Sequence, residues 1–370
     1  MVSDSSILFN GLHVGRCKLQ HRIIMSPLTR FRADDCSMQL PFVKDYYSQR
    51  ASVPGTLLIS EATAISSRAV GFSNVPGIWN AAQIQAWREI ADSVHSEGSF
   101  IFLQLWATGR SFQPGELLLE AFDYASSSPI PIEQGDPPPR ELTDAEIRLY
   151  INDYATAAKN AISAGMDGVE IHGANGYLID QFIQASCNQR TDMWGGSLEN
   201  RANFVLEVTK AVVDAVGADR VGIKLTPSGK IQGMGTMPDL MLQFQYVILK
   251  LHDMKLAYLH LANSRWLDDM PPDVESNDIF IRLWGNSSLV ILEGGYDAKS
   301  AQEEVDGPYK GYDVAIAFGR FFISNPDLPF RIKMGIAFQD YERQYFYTPM
   351  SKRGYIDYSF SNQFLSSRQT

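Results

Sequence analysis

Residues 169–182 have the sequence VEIHGANGYLIDQF, in which an apolar run typical of a buried strand gives way to polar side chains. His172 and Asn175 are neutral hydrogen-bond donors three residues apart, so a strand leading directly into a helical turn would place both on one side. Two converging donors suit a carbonyl oxygen that gains negative charge in a transition state, and Tyr177 adds a phenol that can give up a proton. The alternative is an ordinary strand-to-helix corner with polar capping residues.

Composition narrows the class of protein. The chain has 370 residues, 45% of them hydrophobic, and a net charge of -10, which argues against nucleic acid or a membrane surface as the partner. Cys17, Cys36 and Cys187 form no C-x-x-C pair, so we expect neither a zinc site nor an iron–sulfur cluster. The start of the chain does not resemble a signal peptide, and no apolar run reaches membrane-spanning length. These features predict a soluble cytoplasmic protein, monomeric or homodimeric, that acts on a small molecule.

Around the opening stretch, eight apolar runs alternate with segments of helical periodicity. The predicted strands are 22–25, 55–60, 99–106, 168–171, 221–225, 256–261, 289–292 and 314–318, and the predicted helices are 40–51, 81–97, 143–164, 199–216, 238–254, 278–284, 297–305 and 327–334. Continuous apolar strands with helical crossovers predict a parallel sheet, closed as an α/β (β/α)8 TIM barrel formed by one domain, 1–370. An open doubly wound sheet is the rival, and the missing G-x-G-x-x-G turn after the first strand disfavours it.

Two segments do not fit the alternation. Residues 7–19 predict a β-hairpin that plugs one end of the barrel. Residues 107–140 lose all periodicity and contain serine and proline clusters, which predicts a long excursion after the third strand.

Functional side chains of such a barrel collect at the carboxyl ends of its strands. The residues at those ends here are Pro27, Leu28 and Thr29, Glu61 and Ala62, Gln104 and Trp106, His172 and Asn175, Lys224, Gly294 and Gly295, and Gly319 and Arg320. Glycine pairs after strands seven and eight are typical of a phosphate site built from backbone N–H groups. For Gly294-Gly295, a tight turn is the alternative.

Gln104 and Lys224 suit the polar edge of a heteroaromatic ring, because an amide both donates and accepts and a lysine stabilises negative charge. The alternatives are a buried amide bonded to backbone for Gln104 and an ion pair with Glu170 or Glu61 for Lys224. Trp106 is more typical of a core. A phosphate anchor, an amide, a cation and a large cavity together favour a pocket for flavin mononucleotide (FMN).

Longer motifs carry a family resemblance. They are MSPLTR (25–30), GTLLISE (55–61), QLW (104–106), HGANGYLIDQ (172–181), NQRTDMWGGS (188–197), ENR (199–201) and FGRFFISNPDL (318–328). From about residue 8 to about residue 358 the chain resembles the Old Yellow Enzyme family of FMN-dependent ene-reductases. Its segments FVKDYY (42–47), WATGR (106–110) and LANSRWLD (261–268) resemble the fungal branch of chanoclavine-I aldehyde reductases.

The resemblance implies a role for each strand-end residue. It implies that Thr29 bonds flavin O4, that Pro27 and Leu28 line the same edge, that Gln104 contacts the pyrimidine ring, that Lys224 lies near N1, and that Gly294, Gly295, Gly319 and Arg320 hold the phosphate. It further implies that His172 and Asn175 bind the substrate carbonyl and that Tyr347 lines the substrate side. Ala62, Lys224 and Gly295 depart from the glycine, arginine and polar residue of other members.

The resemblance also implies a reaction. NADPH reduces the flavin at N5 and leaves, an α,β-unsaturated aldehyde takes its place, hydride passes to the β-carbon, and Tyr177 protonates the α-carbon. Members with phenylalanine in place of Tyr177 tend to isomerise, so tyrosine favours net reduction, here of chanoclavine-I aldehyde to a dihydro aldehyde that can close to a cyclic iminium. The alternatives are a general enone or quinone reductase, an isomerase of the same aldehyde, and a non-catalytic flavin barrel. The last is disfavoured because mere binding needs no such trio of side chains.

Overall fold

The computed structural model describes residues 6–112, 123–235, 237–263 and 277–369. Part of the predicted excursion and the segment 264–268 of the last branch motif lie outside these ranges. No helix within the described ranges is both long enough and apolar enough to cross a membrane.

Eight parallel strands close into a barrel in the described chain. In chain order the strands are β1 (Leu12–Val14), β2 (Cys17–Leu19), β3 (Ile23–Met25), β4 (Leu57–Ile59), β5 (Thr63–Ala64), β6 (Phe100–Trp106), β7 (Ala125–Ser126), β8 (Arg140–Glu141), β9 (Gly168–Gly173), β10 (Val221–Leu225), β11 (Tyr258–Ala262), β12 (Leu289–Glu293) and β13 (Val314–Phe318). The barrel order is β4-β3-β13-β12-β11-β10-β9-β6, and a β4–β6 pairing closes it. The predicted (β/α)8 barrel is therefore confirmed.

Helices surround the strands and cover their outer faces. They are α1 (Val43–Ala51), α2 (Ala81–Ser96), α3 (Asp144–Ser163), α4 (Leu178–Ile183), α5 (Leu198–Val216), α6 (Leu240–His252), α7 (Asp278–Trp284), α8 (Ala298–Asp306), α9 (Arg320–Ser324), α10 (Leu328–Met334) and α11 (Asn362–Ser367). The predicted capping box of α3 is present: Thr143 Oγ1 accepts from the Glu146 N–H at 3.3 Å, and the Glu146 carboxylate accepts from the Thr143 N–H at 2.8 Å. Such a cap contributes about 1 kcal/mol.

The N-terminal hairpin pairs β1 with β2 antiparallel. Its buried side chains, which include Val14 and Leu19, belong to the same apolar cluster as Ile24 and Ile59 of the barrel. Gly15 has φ +52°, and a Cβ there would lie 1.8 Å from the Asp219 carbonyl oxygen, so only glycine fits this turn. That the hairpin plugs this end of the barrel stays a prediction.

Three short helices, α4, α9 and α11, were not predicted. The helices α4 and α9 have six and five residues and follow strands β9 and β13, where the barrel rim supplies their packing. A helix of less than two turns shows no clear apolar period, which is why the pattern did not indicate them. The helices α4 and α9 matter for function because both lie among the predicted site residues.

Candidate active site

The predicted site residues share one rim of the barrel, at the carboxyl ends of its strands. Strand register places Lys224 of β10 opposite His172 of β9, and Gln104 of β6 opposite Glu170 of β9. Ser26, directly after β3, donates its backbone N–H to Phe318 of β13 at 3.0 Å, which joins the first and eighth strand ends. Residues distant in sequence thus become neighbours because parallel strands end together.

His172 is held as a neutral donor. Its Nδ1 accepts the backbone N–H of Ala174 at 3.4 Å, so the ring proton is assigned to Nε2. Burial, and after it the positive charge of Lys224, lower the pKa of His172 well below its ordinary value, although Glu293 opposes the shift. The Nε2–H group is therefore available to an acceptor across the pH range where histidine usually charges.

Asn175 is oriented by a hydrogen bond from a neighbouring strand end. The Thr226 hydroxyl donates to Asn175 Oδ1 at 3.0 Å, which leaves the amide Nδ2 as the donor. Asn175 has φ +58°, a left-handed conformation that asparagine tolerates better than most residues. Asp180 fixes the turn by accepting the Gly176 N–H at 2.9 Å.

The prediction that the strand leads directly into a helical turn is wrong. Strand β9 continues through Gly173, and α4 begins only at Leu178, with a four-residue turn between them. His172 therefore lies on the strand and Asn175 in the turn, and helical spacing does not bring them to the rim. The turn and the Thr226 hydrogen bond do so instead.

Tyr177 lies beside His172 with its ring edge-on. The two ring centroids are 5.0 Å apart, and Trp106 lies 5.0 Å from Tyr177 on another side. Burial, followed by the nearby Tyr347, raises the pKa of Tyr177 to about 12, while a hydrogen bond with Gln232 lowers it. The phenol consequently keeps its proton at neutral pH.

An aromatic wall continues from Tyr177 across the rim. Trp106 stacks on Phe72 at 5.5 Å, Phe72 on Phe31 at 6.4 Å, and Phe31 lies 5.5 Å from Tyr347. Trp106 is 1% exposed and packs in the core, as predicted, and its indole Nε1 has no hydrogen-bond partner among the described residues. Tyr347, by contrast, is 61% exposed.

Two buried arginines hold the C-terminal segment that carries Tyr347. Arg32 donates to the carbonyl oxygens of Tyr345 at 2.9 Å and Phe346 at 3.0 Å, and Arg30 donates to Phe346 at 3.0 Å. The two backbone acceptors directly before Tyr347 are therefore fixed to the segment that follows β3. This places Tyr347 on the same side as Tyr177.

The glycines after β12 and β13 have the geometry of a backbone cradle. Gly294 has φ +122°, and a Cβ on it would lie 2.8 Å from the Asn263 carbonyl oxygen. Gly295 has φ +71°. A Cβ on Gly319 would lie 3.2 Å from Leu28 Cδ2, at the start of α9. A side chain is strongly disfavoured at Gly294, would be strained by the positive φ at Gly295 and would press on Leu28 at Gly319, so the backbone is left open here, as a phosphate requires.

A carboxylate not considered in the sequence lies among these residues. Lys224 forms an ion pair with Glu293, the last residue of β12, whereas the alternative considered for Lys224 was an ion pair with Glu170 or Glu61. The Ser26 hydroxyl also donates to Glu293. Burial alone would raise the pKa of Glu293, but Lys224 and His260 lower it below its ordinary value.

A second buried pair, His260 with Glu170, adjoins the pair of Lys224 and Glu293. His260 Nδ1 lies 2.8 Å from Glu170 Oε2, and Gln104 Nε2 donates to the other Glu170 oxygen at 2.7 Å. Gln104 is thus bonded to a carboxylate side chain, whereas backbone was the expected alternative. Burial alone would lower the pKa of His260, but Glu170 and Glu293 raise it.

The remaining predicted residues occupy the same rim. Ala62 belongs to the apolar cluster of Trp106 and Tyr177, Arg320 is the first residue of α9, and Pro27 and Thr29 are partly buried between β3 and α1. The sequence did not indicate several further residues of this rim, namely Glu293, His260, Thr226, Gln232, Ser26, Phe31 and Phe72. Polar residues inside or just after apolar strands, such as His260 and Glu293, were the available signal.

Comparison with known proteins shows the family to which the chain belongs. Residues 7–339 match the NADH:flavin oxidoreductase / NADH oxidase family. Aldehyde reductase FrzD of Cladobotryum sp is 64% identical over 369 residues, covering 100% of this chain and 98% of that protein. Chanoclavine-I aldehyde reductase ifgG of Penicillium roqueforti (strain FM164) is 57% identical over 363 residues, covering 98% and 97%. The crystal structure of Old Yellow Enzyme from Pichia sp. AKU4542 has a TM-score of 0.89 at 34% identity, covering 97% and 94%.

The barrel and its rim define a flavin-dependent oxidoreductase. The chain belongs to the NADH:flavin oxidoreductase / NADH oxidase family, and the resemblance to Old Yellow Enzymes is confirmed. Its cofactor is FMN. The glycine cradle, the cation of Lys224 and the amide of Gln104 are chemically suited to that cofactor.

Proposed function

We propose that this protein reduces the C=C bond of an α,β-unsaturated aldehyde with NADPH as reductant, and that the aldehyde is chanoclavine-I aldehyde. The observation that carries the proposal is a pair of oriented neutral donors, His172 Nε2–H and Asn175 Nδ2–H, beside the protonated phenol of Tyr177. A flavin barrel that only stores its cofactor requires none of these three groups.

The residues divide the reaction between them. His172 and Asn175 hold the aldehyde oxygen and stabilise the negative charge that develops on it as the β-carbon is reduced. When bound, FMN supplies the hydride that it has received from NADPH. Tyr177 delivers its proton to the α-carbon, and its high pKa keeps that proton in place until carbanion character develops.

The residues proposed to hold FMN come from strand ends around most of the rim. Gly294, Gly295, Gly319 and Arg320 would hold the phosphate, Gln104 and Lys224 would contact the pyrimidine edge, and Pro27, Leu28, Thr29 and Ala62 would line the remaining edge. The aromatic wall from Trp106 to Tyr347 would cover the substrate and exclude water from it.

The choice of substrate is supported by the relatives. One relative that aligns over almost the whole chain is named a chanoclavine-I aldehyde reductase, and another is named an aldehyde reductase. The presence of Tyr177 favours net reduction over isomerisation, because an isomerase returns the hydride and needs no proton donor at the α-carbon.

A comparison of the rates with two substrates tests the proposal. The purified protein is supplied with NADPH and either chanoclavine-I aldehyde or cyclohexenone, and products are identified by mass spectrometry. We expect the dihydro aldehyde or its cyclic iminium, with kcat/KM roughly tenfold or more above that for cyclohexenone, since well-placed apolar contacts are worth about 1–3 kcal/mol. Equal values would support a general enone reductase, and recovery of an isomerised aldehyde would support an isomerase.

A further inference from the structure

We propose that Glu293 compensates the charge of Lys224 and thereby lowers the reduction potential of the bound flavin. The inference rests on the proposed seat of FMN at this rim. It assigns a tuning role to a residue that lies beside the predicted cofactor site and has no part in the proposed chemistry.

The position of Glu293 supports this role. It is the last residue of β12 and directly precedes Gly294-Gly295 of the proposed phosphate cradle, and its carboxylate contacts Lys224. The Lys224 side chain is 4% exposed and the Glu293 side chain 16%, so water screens their interaction poorly. Ser26 donates to the same carboxylate, which fixes it in this place.

The neighbouring groups His260 and Glu170 do not cancel the effect of Glu293 on the charge of Lys224. His260 Nε2 lies 3.3 Å from Glu293 Oε2, and His260 Nδ1 is engaged with Glu170 at 2.8 Å. Glu293 is thus shared between Lys224 and His260, while Glu170 is a second carboxylate that contacts His260. Without Glu293, the site would carry one more positive charge in a medium of low dielectric.

A compensated lysine stabilises a reduced flavin less than an unpaired one does. Reduction adds negative charge to the flavin, and a nearby cation favours the reduced form in proportion to its uncompensated charge. Glu293 reduces that preference and contributes a repulsion of its own. A lower potential makes the flavin a stronger hydride donor to the C=C bond, which suits the proposed reaction.

Measurement of the flavin potential tests the inference. The two-electron potential of the FMN-loaded protein is determined by equilibration with a reference dye for wild type, Glu293→Gln, Glu293→Met and Lys224→Met. We expect both Glu293 variants to raise the potential by about 30 mV, which corresponds to a tenfold change for a two-electron couple. Lys224→Met should lower it. Glu303→Gln, which removes the same charge from an exposed position on α8, is the matched control and should leave it unchanged.

The outcomes separate this inference from the proposed function. A potential that stays constant or falls in the Glu293 variants, while the protein still binds FMN and is reduced by NADPH, contradicts the tuning role alone. A wild-type protein that takes up no FMN contradicts the proposed function itself. If neither Glu293 variant folds, because removal of one partner leaves Lys224 buried and unpaired, the double variant Lys224→Met/Glu293→Met decides, since it replaces the whole buried pair by apolar side chains. Its potential should exceed that of Lys224→Met, and an equal or lower potential contradicts the tuning role.

Discussion

The hydroxyl of Thr226 donates a 3.0 Å hydrogen bond to Oδ1 of Asn175 and so determines which end of that amide faces the site. Thr226 follows β10, whereas Asn175 lies in the turn after β9, so the bond joins two neighbouring strand ends. Its consequence is that the Asn175 amide presents Nδ2–H to a carbonyl oxygen without first reorganising.

Replacing Thr226 by valine removes this restraint while preserving volume. We expect kcat/KM for the aldehyde to fall roughly fivefold, in line with the loss of one hydrogen bond worth about 1 kcal/mol. The rate at which NADPH reduces the flavin, followed by stopped-flow absorbance, serves as the internal reference. Thr226→Ser keeps the hydroxyl and should retain most of the activity, and an equal loss in both variants would argue against the orienting role.

Removal of either hydrogen-bond donor, His172 or Asn175, should strongly slow the reduction of the aldehyde, which follows the reduction of the flavin by NADPH. For His172→Ala or Asn175→Ala we expect a decrease of roughly 10²–10³ in the rate of aldehyde reduction, because one donor to a developing oxyanion is worth about 2.7–4 kcal/mol. Single-turnover oxidation of the pre-reduced protein by the aldehyde measures this rate directly. A decrease of less than threefold in both variants would place the oxygen elsewhere.

Tyr177→Phe should uncouple hydride transfer from protonation. The side chain keeps its contacts with His172 and Trp106, whose rings lie 5.0 Å away, but the proton is lost. Net alkene reduction should fall by roughly 10²–10⁴, the usual contribution of a general acid. Product analysis should show isomerised aldehyde in place of the reduced one. Unchanged net reduction in the variant would defeat the assignment of Tyr177.

Gly294→Ala should weaken cofactor binding. The substitution combines an unfavourable φ of +122° with a Cβ 2.8 Å from the Asn263 carbonyl oxygen, so the backbone of the proposed phosphate cradle must shift. We expect the FMN dissociation constant, measured by fluorescence titration of the apoprotein, to rise at least roughly tenfold. Gly311→Ala is the control, because a Cβ at Gly311 meets nothing within 4 Å. Equal affinity in the two variants would exclude Gly294 from the cradle.

The pH dependence of aldehyde reduction follows from the shifted pKa values of His172 and Tyr177. Burial and Lys224 hold the pKa of His172 well below its ordinary value, and burial raises the pKa of Tyr177 to about 12. The active form, with neutral His172 and protonated Tyr177, should therefore persist as pH rises from about 6 to about 10. Single-turnover rates of aldehyde reduction should be constant over this range. A loss of rate with a midpoint near 6.5 would contradict the account of His172, and one near 10 that of Tyr177.

The barrel was predictable because its strands are continuous apolar runs and its longer helices carry clear caps. All eight strands appear within a few residues of their predicted ends, and Thr143 caps the start of α3 as its capping box indicated. The short helices α4 and α9 were not predictable in this way, since their packing depends on the rim that the whole barrel creates.

The site was predictable in its position but not in its pairings. The rule that barrel sites lie at strand ends indicates His172, Asn175 and Lys224 without any coordinates. The partner of Lys224 could not be inferred, because β10 and β12 are separated by β11 and only the closed barrel brings Glu293 across to it. The orientation of Asn175 likewise depends on a turn with positive φ, which the expected helical spacing did not contain.

The most direct test of the central claim is an anaerobic titration of the purified protein followed by visible absorbance. We predict a yellow protein that is bleached by one equivalent of NADPH and recovers its colour on addition of chanoclavine-I aldehyde, with the dihydro aldehyde or its cyclic iminium as product. A colourless protein that takes up no FMN, or a bleached protein that the aldehyde does not reoxidise, would contradict the account.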